Sequence, residues 1–325
     1  MKFPELVYAG SAVAAFVTTS ASLPLWRFAC RRKGLMDDPG ERKIHQSPIP
    51  LAGGLAVLTG LLVPLLVAAA AAHVQWLDGL SGDRLAYGFE RRAGQLGAIF
   101  GGAVGMTLLG WFDDRRELRP ALKFAGQVLV AGLVAASGVR ITLFVPNAWF
   151  SFAITLLWIV TVTNALNFLD NMNGLCAGLG VIAAAIFGLK AALLDQYLVA
   201  SVAFLTAGAL LGFLPFNFPR ASAFLGDSGS HLTGFLLAVL AILPHFHSPE
   251  HPRPLAVVTP LLVLAVPLAD LVWVVLLRWR LGRPFYVGDT NHLSHRLVRR
   301  GFSRTQAVLI IWAVAAAAGS VAFLL

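Results

Sequence analysis

Charged side chains are scarce in this chain, and their scarcity excludes an ordinary soluble domain. Charged residues make up 13% of the sequence, hydrophobic residues make up 58%, and the mean hydropathy is +0.75. A soluble domain of this length would present far more charge to water. Apolar runs of about 20 residues, the length of a helix that crosses a bilayer, recur along the sequence. Long polar segments between them are lacking, so we predict one integral membrane domain over residues 1–325.

Cysteine is also rare, which excludes a fold held together by disulfides. The two cysteines, Cys30 and Cys176, both belong to segments that we predict at the same membrane face. We therefore expect them to act as small apolar packing residues.

The apolar runs predict an all-α integral membrane protein with about ten transmembrane helices. Their predicted spans are 6–26, 51–72, 94–112, 121–138, 149–166, 174–192, 197–214, 229–245, 255–277 and 305–325. Five loops then share one side, and they hold 18 of the 25 lysines and arginines. The positive-inside rule places these loops in the cytoplasm and the N-terminus outside. This topology, with anionic lipid nearby, explains the net charge of +9 without a nucleic-acid partner.

Acidic residues number only 16, yet several of them gather in four short segments of the same predicted face. These segments are 37–43, 110–117, 164–171 and 224–230. Carboxylates gathered among Arg, Lys and His indicate a divalent cation and a phosphorylated substrate. Because thiolates are lacking nearby, the oxygen ligands favour Mg²⁺, or Mn²⁺, over zinc. The five cytoplasmic loops are therefore expected to form an active site.

Asp113 and Asp114 are adjacent carboxylates at the end of an apolar helix. Their repulsion would be relieved by a metal cation or by Arg115 or Arg116, and the pattern leaves both explanations open. Gly97, Gly101 and Gly105, spaced four residues apart, predict close helix packing that would fix this pair at the membrane surface. Lys123, one helical turn before Gln127, offers a cation nearby.

Two further segments place polar side chains beside apolar helices. Asn164, Asn167 and Asp170 recur every three residues, a spacing that lines them along one helix face. Asp227 precedes an apolar run and is predicted as a helix N-cap, with the N–H groups after it exposed to phosphate oxygens. An ordinary cap remains the alternative.

Basic residues in two loops could bind a diphosphate through charge-assisted hydrogen bonds. They are His292, His295 and Arg296 in the last loop, and Lys43 and His45 in the first. Solvated loop residues are the alternative. Asp270 lies inside an apolar run, where an interhelical hydrogen bond and a functional role are equally open. His245, His247 and His251 are assigned to a polar outer loop.

Taken together, these motifs resemble the polyprenyl-phosphate N-acetylhexosamine-1-phosphate transferases, classed in glycosyltransferase family 4. The resemblance rests on five ordered motifs: Arg42 to His45 with Gly53 and Gly54, Asp113–Asp114 with Lys123 and Gln127, Asn164 to Asp170, Asn217 to Ser230, and His292 to Leu297. The branch that initiates glycans with GlcNAc-1-phosphate resembles this chain more than the phospho-N-acetylmuramoyl-pentapeptide transferases of peptidoglycan synthesis do.

The resemblance implies a reaction at the cytoplasmic face of the bacterial inner membrane. Undecaprenyl phosphate would attack the β-phosphate of a UDP-activated amino sugar, releasing UMP. Asp227 would be a Mg²⁺ ligand, Asp113 and Asp114 would bind metal and activate the lipid phosphate, and Asp170 would complete the catalytic set. Asn167 and Asn173 would line the nucleotide site, and His292, His295 and Arg296 would lie near the sugar or diphosphate.

Three positions depart from the family pattern. Asn173 stands where many members have Asp, Ser294 stands where His is common, and Thr290 stands where Arg is frequent. A degenerate homologue acting as a scaffold is therefore one alternative, and a transporter of an anionic solute is another. Transporters favour internal repeats and polar groups near the bilayer midplane, and the sequence shows no such repeat. A homodimer is also expected to be possible.

Overall fold

The structure is a computed structural model that describes residues 4–38, 47–73, 80–142, 145–244, 246 and 254–325. Lys43 and His45, predicted to bind substrate, lie outside the described residues. So do His245, His247 and His251 of the predicted outer loop.

Helices make up most of the described chain. They are α1 Glu5–Lys33, α2 Gly53–His73, α3 Leu80–Arg116, α4 Pro120–Ala136, α5 Ala148–Phe168, α6 Leu175–Leu193, α7 Tyr197–Phe213, α8 Gly226–Ile242, α9 Thr259–Val263, α10 Ala265–Arg280, α11 Leu293–Arg299 and α12 Arg304–Ser320. Short 3₁₀ turns cover Leu214–Phe216, Pro254–Val258 and Val321–Leu324. Two short strands, β1 Met36–Asp37 and β2 Ile49–Pro50, pair antiparallel with Met36 opposite Pro50.

The predicted all-α membrane fold is confirmed. Within the described residues, seven helices are long and apolar enough to cross a bilayer. An eighth span results if Leu255–Val263 and Ala265–Arg280, which meet at a 68° bend, are counted together. Helix α4 is apolar but shorter, and α8 has 17 residues, so the prediction of about ten spans stays a prediction. Helix α3 begins at Leu80, well before the predicted residue 94.

Helix α8 lies at the centre of the bundle and is buried along most of its length. It packs chiefly against α3 and α5, and also against α2 and α6, while α1 packs on α7 and α2. Because α8 is wrapped by its neighbours, its first turn is held among residues from several distant parts of the chain. That turn carries Asp227.

Helices α3 and α8 approach closely through two glycines that differ from the three predicted. A Cβ at Gly102 would lie 2.6 Å from the Phe235 ring, and one at Gly110 would overlap the backbone of Asp227. Gly97 and Gly101 face open space, with no described atom within 4 Å of an added Cβ. The prediction of close packing was therefore wrong for Gly97 and Gly101. It holds for Gly105, where an added Cβ would lie 3.1 Å from the Val130 side chain of α4.

Backbone hydrogen bonds fix where α8 begins. Gly53 N–H donates to Phe224 O at 2.9 Å, and Gly54 N–H donates to Leu225 O at 3.0 Å. Phe224 N–H donates in turn to Pro50 O at 3.0 Å. A Cβ on Gly54 would collide with Ser228 and Gly229, so only glycine permits this approach. The start of α2 and the start of α8 are thereby joined.

Candidate active site

Lys123 stands between two carboxylates that are far apart in the sequence. Its ammonium Nζ lies 2.6 Å from Asp113 Oδ2 and 2.8 Å from Asp227 Oδ2. Asp113 lies in the last turn of α3, Lys123 in the first turn of α4 and Asp227 in the first turn of α8, so this cluster joins three helices. The repulsion between Asp113 and its neighbours is relieved by Lys123, whereas Arg115 lies over the Trp111 ring.

Asn167 completes the contacts of Asp227. Its amide donates to Asp227 Oδ1 at 2.7 Å and to Ser230 Oγ at 2.9 Å. Lys123 Nζ also lies 3.5 Å from Asn167 Oδ1. Both oxygens of Asp227 are thus held by polar groups from other helices, which fixes the orientation of the carboxylate.

Asp114 does not share this arrangement. Its carboxylate accepts the backbone N–H groups of Asp227 at 2.7 Å and of Ser228 at 3.1 Å. Helix α8 begins at Gly226, with Leu225 at the N-cap position, so Asp227 lies in the first turn. The prediction that Asp227 is the N-cap was wrong. Of the N–H groups expected to receive phosphate oxygens, that of Ser228 already donates to Asp114, and a carboxylate suits the positive end of a helix.

Replacing Gly110 with Ala is expected to damage this site selectively. The new Cβ would overlap the Asp227 backbone and push α8 away from Asp114, at a cost of about 1–3 kcal/mol. We expect Gly110→Ala to lower turnover by about 100-fold or more, because reacting groups displaced by about 1 Å lose rates of that size. Gly97→Ala, on the same helix but facing open space, should leave turnover and melting temperature near those of wild type. Equal activity of both variants would contradict the close approach at Gly110.

A cavity of about 660 Å³ opens beside this cluster. Six of the predicted site residues line it: Asp113, Asp114, Asn167, Asp170, Asn173 and Asp227. The cavity falls within the volume range of sites for small molecules and cofactors. Residues from the β1–β2 hairpin, the end of α3, the turn after α5 and the loop before α8 meet there.

Asp170 is a carboxylate in this cavity whose negative charge is not balanced by a described residue. It follows the end of α5, and its side chain accepts no hydrogen bond from a described residue. Burial raises the pKa of Asp170 well above its usual value, and the negative charges of Asp227, Asp114 and Asp37 raise it further. A cation would remove this penalty.

The carboxylate oxygens of the cavity fit a hard divalent cation. Among the described residues, no three His, Cys, Asp or Glu side chains gather closely enough to form a preformed metal site. Lys123 already neutralises Asp113 and Asp227, and Asp114 is engaged by the N–H groups of α8. Asp227, Asp170 and Asp113 supply the carboxylates that Mg²⁺ prefers.

Asn164 lies one turn deeper than Asn167 and does not line the cavity. Its amide donates to Gln127 Oε1 at 2.7 Å and to Val160 O at 2.8 Å. Gln127 is buried. The pair therefore joins α4 to α5, one helical turn along α4 from Lys123.

The loop between α10 and α11 is held by contacts with α10 and with the turn after α5. His292 Nδ1 lies 2.7 Å from Asp270 Oδ2, and the Leu293 N–H donates to Asp270 Oδ1 at 2.6 Å. Asp270 thus anchors the start of α11, which favours the hydrogen-bonding explanation for this intramembrane carboxylate. Ser294 donates to Asn171 Oδ1 at 2.7 Å and so ties α11 to the turn after α5.

His292, His295 and Arg296 do not line the cavity itself. The guanidinium of Arg296 lies 4.5 Å from the centroid of the Trp273 ring. Burial lowers the pKa of His295, and the nearby His292, Arg299 and Arg304 lower it further. His295 is therefore neutral near pH 7, and it would meet a phosphate as a neutral donor without a positive charge.

A second ion pair shapes the same loop. Arg278 Nε donates to Asp289 Oδ2 at 2.8 Å, and its guanidinium lies 5.0 Å from the Phe168 ring centroid. Burial alone would raise the pKa of Asp289, but the hydrogen bonds from Arg278 and the Asn291 N–H hold it below its usual value. The loop is thereby fixed against the end of α5.

Arg220, an exposed arginine at the cavity, was not singled out from the sequence. Asp37 and Asn171, which belong to two of the acidic segments, also line the cavity. Asn217 is buried and accepts the Gly174 N–H at 2.6 Å, which holds the start of α6 against the loop before α8. The sequence could have indicated Arg220, because it is the single lysine or arginine in the predicted cytoplasmic loop between 215 and 228.

Comparison with known proteins agrees with this arrangement of motifs. The sequence profile described as "Glycosyl transferase family 4" matches residues 96–245. A relative from Mycobacterium tuberculosis, named decaprenyl-phosphate N-acetylglucosaminephosphotransferase, is 35% identical over 92% of this chain and 77% of its own length. A Bacillus subtilis protein, named probable undecaprenyl-phosphate N-acetylglucosaminyl 1-phosphate transferase, is 29% identical over 93% of this chain and 80% of its own length. An Escherichia coli undecaprenyl-phosphate alpha-N-acetylglucosaminyl 1-phosphate transferase is 26% identical over 96% and 82%.

Proposed function

Because this chain belongs to the polyprenyl-phosphate N-acetylhexosamine-1-phosphate transferases, we propose which donor, metal and side chains its reaction uses. The protein is a membrane-bound phosphotransferase that transfers a sugar-1-phosphate to a polyprenyl phosphate. The observation that carries the proposal is the cluster of Asp113, Lys123, Asn167 and Asp227 beside a cavity lined by further carboxylates.

The donor is proposed to be UDP-GlcNAc or a related UDP-N-acetylhexosamine. The relatives' names specify an N-acetylglucosaminyl phosphate group. A nucleoside diphosphate carries negative charge along its phosphates, and Arg220 is an exposed cation at the cavity that could bind it. Asn173 also lines the cavity, and its amide donates to Pro219 O at 3.2 Å, beside Arg220. Its amide oxygen is suited to a uracil or ribose edge.

Mg²⁺ is the proposed cofactor, with Mn²⁺ as a substitute. Asp227 and Asp170 would hold it, together with Asp113 once the diphosphate enters the cavity. When bound, the metal supplies positive charge that neutralises the diphosphate as its bridging bond breaks.

The chain's own side chains are proposed to orient the reactants. An oxygen of the lipid phosphate attacks the β-phosphorus, a new P–O bond forms, and the bond from that phosphorus to the oxygen of UMP breaks. Asp113 accepts a proton from the lipid phosphate if that group enters protonated. Lys123 holds Asp113 and Asp227 in place and offers its charge to the phosphate oxygens.

The proposed location follows from the distribution of basic residues. The end of the bundle that carries the carboxylate cavity also carries most of the lysines and arginines, which supports a cytoplasmic face of a bacterial inner membrane. A homodimer remains a proposal, and no contact among the described residues bears on it.

The test of this proposal is incubation of the purified protein with undecaprenyl phosphate and radiolabelled UDP-GlcNAc. We expect a labelled lipid product, together with UMP, that disappears in EDTA and returns when Mg²⁺ is added. UDP-N-acetylmuramoyl-pentapeptide serves as a second donor, because it tests the peptidoglycan branch of the same family.

Each outcome of this assay separates two hypotheses. Product from the pentapeptide donor alone would replace the proposed substrate while keeping the enzyme class. Full activity in EDTA would refute the Mg²⁺ requirement. A lack of product from every UDP-N-acetylhexosamine would favour a catalytically degenerate scaffold.

A further inference from the structure

A second cavity, of about 520 Å³, lies at the opposite end of the helix bundle. It is formed by the first half of α3, the segment after α4, the start of α7 and the end of α8. Arg91 in this cavity and Asp113 in the first are 22 residues apart on α3, or roughly 33 Å along a straight helix. The two cavities are therefore separate sites on the same helices.

Three arginines lie on the polar side of this outer cavity. Arg91 and Arg92 come from α3, and Arg140 comes from the segment after α4; all three are exposed. Arg92 donates to Gln95 Oε1 at 2.8 Å, and no hydrogen bond or ion pair joins Arg140 to a described residue. None of the described residues that line the cavity is acidic. Asp195, just before α7, accepts a hydrogen bond from Tyr197 at 3.2 Å.

The remaining wall is apolar. Leu96, Ile99, Val139 and Val202 are buried residues that line it. A cavity with guanidinium groups on one side and aliphatic side chains on the other matches a molecule with an anionic head and a hydrocarbon chain. A shallower recess that includes Ser137 adjoins the arginines and leaves room around the head.

We propose that this outer cavity binds an anionic membrane phospholipid, with its phosphate on Arg92 and Arg140 and an acyl chain against the apolar wall. Arginine suits this role because its planar guanidinium can bond two phosphate oxygens at once. A soluble anion would not need the aliphatic wall, and a zwitterionic lipid would gain less from the arginines.

Two helices that would contact the bound lipid also carry residues of the candidate active site. Helices α3 and α8 line the outer cavity at one end and carry Asp113 and Asp227 at the other. A ligand that bridges α3, the segment after α4 and α7 stabilises their packing by mass action. The lipid is therefore expected to raise the melting temperature without taking part in the reaction.

The experiment is native mass spectrometry of the detergent-solubilised protein with phosphatidylglycerol or phosphatidylcholine of identical acyl chains. We expect the wild type to retain one phosphatidylglycerol under conditions that strip phosphatidylcholine. Arg92→Gln combined with Arg140→Gln should weaken this binding by about tenfold or more, since two charge-assisted hydrogen bonds are lost. Transferase activity should persist, because neither arginine lies near the carboxylate cavity.

Two further variants keep the proposal falsifiable. Arg31→Gln combined with Arg300→Gln removes the same charge from exposed sites away from the outer cavity and should leave the retained lipid unchanged. Val199→Phe fills part of the apolar wall without changing charge and should also reduce retention.

Three results would overturn the assignment. Equal retention of phosphatidylcholine would show that the arginines do not select the ligand. Displacement of the lipid by inorganic phosphate alone would assign the cavity to a soluble anion. Preferential retention of undecaprenyl phosphate in this cavity would assign it to the lipid substrate.

Discussion

Asp227→Asn is expected to reduce turnover by at least about 1,000-fold while leaving the protein folded. The carboxylate contacts Lys123 through one oxygen and the Asn167 amide through the other. An asparagine has the same size but presents one NH₂ group, which must face either the ammonium or the amide donor. The substitution thus removes a negative charge and one acceptor from the proposed metal site.

Turnover with UDP-GlcNAc and melting temperature, measured on the same preparation, check this prediction. Asp195→Asn is the matched control, because it removes one exposed carboxylate away from the cavity and should keep wild-type turnover. Wild-type turnover of Asp227→Asn would refute its role in metal binding. If the variant fails to fold, a titration of Mg²⁺ against Asp227→Glu, which keeps the charge, tests the same role by a shift in the concentration required.

Lys123→Met is expected to abolish activity and to destabilise the protein in the absence of Mg²⁺. Removal of the ammonium leaves Asp113 and Asp227 facing each other without the cation that lies 2.6 and 2.8 Å from them. The loss should be about 2 kcal/mol, below the cost of breaking a fully buried pair, because these side chains are partly exposed. Added Mg²⁺ should recover part of the stability, since a divalent cation can neutralise the same carboxylates, but it should not recover turnover.

Lys190→Met separates loss of stability from loss of function. Lys190 is a buried lysine near the end of α6, and it donates to Ala322 O at 2.9 Å, away from the carboxylate cavity. This variant should lose stability but keep its turnover per folded molecule, with no specific recovery by Mg²⁺. Identical behaviour of the two lysine variants would mean that Lys123 has only a structural role.

For the Asp113–Asp114 pair, the sequence predicted the need for a nearby cation but did not predict which residue supplies it. Their adjacency predicted a conflict of charge that some cation must resolve, and the structure confirms a cation at Asp113. The partner is Lys123 and neither Arg115 nor Arg116, because the α3–α4 turn brings the start of α4 back over the end of α3. Nothing in the local pattern indicates that Asp114 points the other way, onto the N-terminus of α8.

The glycines of α3 likewise show that a local sequence pattern does not predict which helix faces pack together. Four-residue spacing correctly predicts that small residues allow close approach, but it does not tell which glycines of α3 face a neighbouring helix. The rotation of α3 against α8 selects Gly102 and Gly110 and leaves Gly97 and Gly101 facing open space. That rotation is set by the packing of all neighbouring helices, which no local pattern contains.

The sequence by itself determined the membrane fold, the family and the grouping of acidic loops, because hydropathy, charge bias and motif spacing are properties of the chain order. Only the tertiary structure decided which polar groups meet. It paired Lys123 with Asp113 and Asp227, assigned Asp114 to the start of α8, and fixed His292 against Asp270. These contacts join residues that are ten to more than one hundred positions apart, and their partners depend on how each helix is rotated and shifted when the bundle packs.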